Sequence, residues 1–210
     1  MLDYTIFNER PESQDRAIKE LQAMGYQYIP RAEAEKKRGH LSRVLFPDVM
    51  HEFLSSQSFT YRGKVCPFSD DAIGEAIREL DAPLEKGLMY ASKAVYDRLV
   101  YGKSCEIHLY DGNAQSFDIS YIDWEHPEKN IWQVTEEFSV ERLNGKFARP
   151  DIVILVNGIP LAVIECKKAS VDVEESVKQN VRNWQPDYIP QLFKFAQLVI
   201  CLLYTSDAAD

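Results

Sequence analysis

The sequence predicts an α/β fold, a mixed sheet flanked by helices, with a helical N-terminal half. Three observations lead there. Apolar residues recur at helical spacing through 12–24, 41–54, 70–81 and 84–100. Short alternating segments replace them after Ser104. Two nearly continuous apolar runs, 152–156 and 159–164, then flank Asn157-Gly158. Helices, antiparallel strands, a helix and a final strand make the order of an α/β sandwich.

Each element has its own signal. Ser13 is a candidate cap for a helix carrying Ala17, Ile18, Leu21 and Met24, which Gly25 stops. A short strand at 26–29 ends at Pro30. The helix expected over 41–54 presents Leu41, Val44, Leu45, Val49, Phe53 and Leu54, with an interruption near Pro47. Further helices at 70–81 and 84–100 supply core, the second ending near Gly102. Strands are expected at 107–110, 116–124 and 132–140, with turns at Asp111-Gly112 and Asn144-Gly145. Past the apolar runs, Val173, Val177 and Val181 mark a helix over 171–184. A short helix at 192–196 and a strand from 197 follow.

Bulk properties exclude several classes. The 210 residues carry a formal charge of −9, so contact with nucleic acid must come from a local patch. One such patch exists: 31–43 holds Arg31, Lys36, Lys37, Arg38, His40 and Arg43 against Glu33 and Glu35. Lys36, Lys37, Arg38 and Arg43 are the candidate DNA contacts, weighed against a merely solvated helix face. The four cysteines, Cys66, Cys105, Cys166 and Cys201, lack paired spacing, which argues for reduced thiols and against a zinc ribbon. No apolar run approaches the ~20 residues of a membrane span, and the expectation is a cytoplasmic protein.

The chemistry concentrates at the hairpin. Buried apolar strands rarely carry Asp, Glu and Lys unless those groups are paired or bind metal. Glu165 and Lys167, two apart on a strand, leave the same face, while Asp151 opens the preceding strand. Two converging carboxylates, with the Cys166 carbonyl as a further ligand, suit Mg²⁺, and Lys167 could orient a water or stabilise an anionic transition state. A metal-dependent nuclease site is the working reading, set against a structural Glu165–Lys167 ion pair. Register decides it. A clean two-residue turn at Asn157-Gly158 would pair Asp151 with Ile164 and put the two carboxylates on opposite faces, whereas a three-residue loop or a bulge brings them together.

The stretch RPDIVILVNGIPLAVIECKK (149–168), continued by SVKQN (176–180) and YIPQLFKF (188–195), resembles the PD-(D/E)-x-K nuclease core of the restriction subunit of Type I restriction–modification enzymes. The likeness is strong over 145–200 and looser before. It implies a restriction-endonuclease-like fold and a Mg²⁺-dependent, double-strand DNA endonuclease, working in a complex with methyltransferase and specificity subunits. It further implies that Asp151 and Glu165 are metal ligands, Lys167 the catalytic lysine, and Gln179 the glutamine of a Q-x-x-x-Y element. The tyrosine position holds Asn183, with Trp184 beside it. A further acidic residue on the first helix is expected, Glu12 or Glu20. No G-x-x-x-x-G-K-[ST] loop is present, so ATP would act only through downstream domains. Alternatives are an inactive nuclease-like module that binds DNA or a partner subunit, and another nuclease of the same core. Residues 201–210 resemble the translation of a transposon-based sequencing adapter, so the endonuclease domain is expected to span 1–200, with a non-native tail after Ile200.

Overall fold

The computed structural model describes residues 12–168 and 182–204. Its helices are α1 (Glu12–Ala23), α2 (Arg31–Arg38), α3 (Pro47–Ser55), α4 (Asp70–Leu80), α5 (Leu88–Tyr101) and α6 (Pro190–Phe193). The strands are β1 (Gln27–Tyr28), β2 (Ser58–Tyr61), β3 (Lys64–Pro67), β4 (Lys103–His108), β5 (Ala114–Ile119), β6 (Trp132–Glu136), β7 (Val140–Glu141), β8 (Phe147–Ala148), β9 (Ile152–Val156), β10 (Ile159–Lys168) and β11 (Leu198–Tyr204).

A mixed sheet in the order β1-β6-β9-β10-β11 carries the fold. The inner pairs are antiparallel, while β1 on β6 and β11 on β10 run parallel. One face, with Val134, Ile152 and Ile164, packs on Ile18 of α1. The other, with Val153, Leu155 and Val163, meets the larger core built from α3, α4, α5 and α6. Burial on both faces is why β9 and β10 read as continuous apolar runs rather than alternating ones. The remaining strands form two-stranded hairpins, β2–β3, β4–β5 and β7–β8, outside this sheet.

Several expected boundaries move, each for a local reason. Ser13 lies inside α1, so it is no cap; the side chain is buried. The helix expected from Leu41 begins at Pro47, the first-turn position proline favours. Before it, Val44, Leu45 and Phe46 are buried outside any helix, and the Phe46 N–H donates to the Gly158 carbonyl at 2.9 Å. α5 starts at Leu88 because Gly87, at φ 90°, forms its N-terminal boundary. The β2–β3 hairpin around Arg62-Gly63 has no counterpart in the sequence expectations. Ser69 caps α4, accepting from the Ala72 N–H. The helix expected over 171–184 falls mostly outside the described residues.

Candidate active site

The site is built by a turn and a bulge. Asn157 and Gly158 both have positive φ, 52° and 80°, which makes a two-residue primed turn whose twist matches the strands. Asn157 is buried and anchored: its Oδ1 accepts from the Ile131 N–H at 2.7 Å, and its Nδ2 donates to the Tyr121 carbonyl and to Asn130 Oδ1. From the turn, Val156 faces Ile159 and Leu155 faces Pro160; the register then slips, so that Ile154 faces Ala162 and Ile152 faces Ile164. Leu161 is the extra residue of a β-bulge. One step further along the ladder, Asp151 stands against Glu165. The turn is the short one, and the bulge restores the register that the site needs.

The carboxylates therefore meet at the open end of β9 and β10. Asp151 Oδ2 accepts from the Cys166 N–H at 2.7 Å, which fixes its rotamer. Glu165 is 3% exposed, and Lys167 Nζ lies 3.8 Å from its Oε2. Burial, then the charge of Asp151, push the Glu165 carboxyl up to about 7 despite Lys167. Burial also raises Asp151, opposed by the Cys166 N–H, Lys167 and a hydrogen bond from the Gln14 side chain. The Cys166 thiol is pushed up to about 11 by burial and by the same carboxylates, so it stays protonated at neutral pH.

This donor set fits a hard divalent cation. The buried Glu165 and half-buried Asp151 carboxylates repel each other with one lysine near them, and Gln14 Oε1 beside them is buried without a hydrogen-bond partner among the described residues. Among those residues no three of His, Cys, Asp and Glu converge, so the oxygens available are two carboxylates, an amide and backbone carbonyls. That suits Mg²⁺, which keeps several of its waters. Gln14 is the residue the sequence reading missed. It occupies the place on α1 where an acidic group was expected. Glu20, six residues on, is exposed and roughly 9 Å further along the helix; the side chain of Glu12 is outside the described set. The signal for Gln14 was its position one turn before Ile18 on the sheet-facing side of α1.

The other expected site residues that the structure describes lie apart. Gln179 is outside the described residues. Asn183 is buried, and the Trp184 ring, 42% exposed, lies 6.3 Å from Phe193 at the rim of an apolar cleft of about 600 Å³ with Leu84, Leu143 and Pro190. In the basic stretch, Lys36 and Arg43 are exposed and Lys37 lies 3.6 Å from Glu33. Arg38 is 1% exposed. Its guanidinium donates to the carbonyls of Ala34, Arg43 and Ser139 and lies 3.9 Å above the Phe138 ring. In this fold it is a core strut with no surface to offer a phosphate, because the inward face of α2 carries it past Ala34.

The family model for the Type I restriction enzyme R protein N terminus matches residues 6–202, and the chain belongs to that family. The Type I restriction enzyme SsaAORF53P endonuclease subunit of Staphylococcus saprophyticus is 30% identical over 115 residues, 55% of this chain and 11% of that protein. The HindI endonuclease subunit of Haemophilus influenzae is 24% identical over 192 residues, 87% of this chain and 17% of that protein. The EcoprrI endonuclease subunit of Escherichia coli is 30% identical over 123 residues, 58% of this chain and 36% of its sequence. The chain thus spans only a minor part of these relatives. No helix among the described residues is long and apolar enough to cross a membrane.

Proposed function

We propose that this chain is the Mg²⁺-dependent endonuclease domain of a Type I restriction R subunit, with a PD-(D/E)-x-K core that hydrolyses phosphodiester bonds of double-stranded DNA. The observation that supports it is the bulge at Leu161, which brings Asp151 and Glu165 together with Lys167 on the flank of Glu165. Asp151 and Glu165, with the Cys166 carbonyl, would hold the ion. Bound there, Mg²⁺ supplies Lewis-acid stabilisation of phosphoryl charge and a more acidic water.

The chain's own groups do the rest. The Cys166 N–H holds Asp151 in one rotamer, so little reorganisation is needed when a ligand arrives. The Lys167 ammonium, beside a buried carboxylate, is placed to orient the attacking water or to meet charge on the phosphate. Burial lowers the local dielectric and strengthens each of these interactions. Lys36, Lys37 and Arg43 are surface cations on α2 and just after it that would meet the duplex.

Translocation driven by ATP belongs, in this reading, to other domains of the same polypeptide, and target choice to specificity and methyltransferase subunits in the cytoplasm. The test is made in the full-length subunit assembled with those partners. Lys167→Ala and Asp151→Ala should lower cleavage of unmodified plasmid at least about a hundredfold, while leaving DNA-stimulated ATPase at the wild-type level. Undiminished cleavage in both variants would remove the nuclease assignment from this site.

A further inference from the structure

Arg149 stands two residues ahead of Asp151, exposed to solvent. Among the described residues its guanidinium makes no hydrogen bond, and its ion pair there is a long one, Nη1 to Glu137 Oε2 at 3.5 Å. The same carboxylate oxygen receives Arg31 Nη1 at 3.0 Å, and Arg31 is oriented by Glu35 through its Nε at 2.9 Å. Glu137 is built into the site rather than draped over it. Its N–H donates to the Asp151 carbonyl at 2.8 Å, and its φ of 44° is a left-handed conformation that a residue other than glycine holds at a cost. The three side chains are 43%, 35% and 22% exposed, so each of them reaches solvent.

We propose that Arg149 and Arg31 form a clamp for a DNA backbone phosphate at the mouth of the site, and that the Glu137 carboxylate stands in for the phosphate oxygen when DNA is absent. The proposal rests on the nuclease reading of Asp151 and Glu165. Two guanidiniums on one anionic oxygen make the geometry by which phosphates are recognised, and a guanidinium keeps its charge at any working pH. The setting demands such a partner. The chain is at −9 overall, and the charges of Asp151 and Glu137 act on each other at the entrance, so a polyanion approaches only against fixed cations. A surface ion pair contributes little to stability, so the donors that Arg149 leaves unspent among the described residues have no structural use there.

The test uses this chain and a short fluorescein-labelled duplex of mixed sequence, with anisotropy read across a salt series in EDTA. Arg149→Ala should bind more weakly on every duplex. Its slope of log affinity on log salt should be shallower by about one, equivalent to roughly a fourfold smaller loss between 50 and 200 mM salt. Arg149→Lys should recover the slope and only part of the affinity. Glu137→Gln, which releases both guanidiniums, should bind tighter than wild type, and most of that gain should vanish when Arg149→Ala is added, whereas a gain from the loss of a repelling charge alone would persist without the arginine. Mg²⁺ calorimetry on Arg149→Ala should match wild type, showing that fold and ion site persist. A wild-type salt slope in Arg149→Ala, weaker binding in Glu137→Gln, or no duplex binding by wild type at low salt would each overturn the clamp. Asp151→Ala binding Mg²⁺ like wild type would instead overturn the nuclease reading itself.

Discussion

Glu165 illustrates at the level of one residue how burial becomes chemistry. It sits among apolar neighbours with Asp151 facing it, and both effects favour its protonated form. The sign of the pH dependence follows. The folded carboxyl titrates at about 7 against 4.5 for an ordinary glutamate, so it contributes stability that is full below 4.5 and lost as pH rises through 7. Glutamine mimics the protonated form throughout. In EDTA, Glu165→Gln should therefore melt close to wild type near pH 4.5 and increasingly above it toward pH 7.5; a difference that stays flat over that window would contradict the burial argument. Arg38 makes the complementary point. A lysine- and arginine-rich octapeptide reads as a surface patch, yet one of its cations is spent inside the core.

At the level of the element, the hairpin depends on two backbone conformations. A Cβ on Gly158 would stand 2.6 Å from the Phe46 carbonyl oxygen, at a φ that disfavours side chains. Gly158→Ala should cost on the order of 2–4 kcal/mol in urea unfolding, because neither the turn nor the start of α3 can move alone. Asn157→Gly keeps the left-handed conformation but loses the bonds to Ile131, Tyr121 and Asn130, at about 1–3 kcal/mol; Asn157→Ala should cost about 1 kcal/mol more. Equal losses in the two variants would mean that backbone strain plays no part. The turn dipeptide, the apolar strands and the need for an irregular register were all legible in the sequence, since each follows from side-chain chemistry at neighbouring positions. The position of the irregularity was not. Nothing about Leu161 marks it as a bulge, because its placement is decided by what β10 packs against.

For the whole molecule, what escaped the sequence was mostly long-range. β1 is two residues long, and only the fold reveals that it lies parallel to β6 at the sheet's edge. Gln14 is brought to Asp151 from 137 positions away, beyond the reach of any local pattern. The C-terminal segment is tied in by Lys194, 5% exposed, whose ammonium donates to the Ala82 carbonyl at 2.6 Å and pairs with Asp81. This bond joins the segment after α6 to the end of α4. Lys194→Met, which keeps the apolar stem, should lower stability by about 1–3 kcal/mol. Native-state hydrogen exchange should show the loss concentrated in α6 and β11; a change below about 0.5 kcal/mol would mean that the two segments are held by apolar packing alone.

The proposed chemistry requires a cation held between Asp151 and Glu165. Titrating Mg²⁺ into the chain by isothermal calorimetry tests this most directly. Wild type should bind one ion, and Asp151→Ala and Glu165→Ala should each weaken or abolish that binding while keeping the wild-type circular dichroism spectrum. Binding unaltered in both variants would contradict the assigned site.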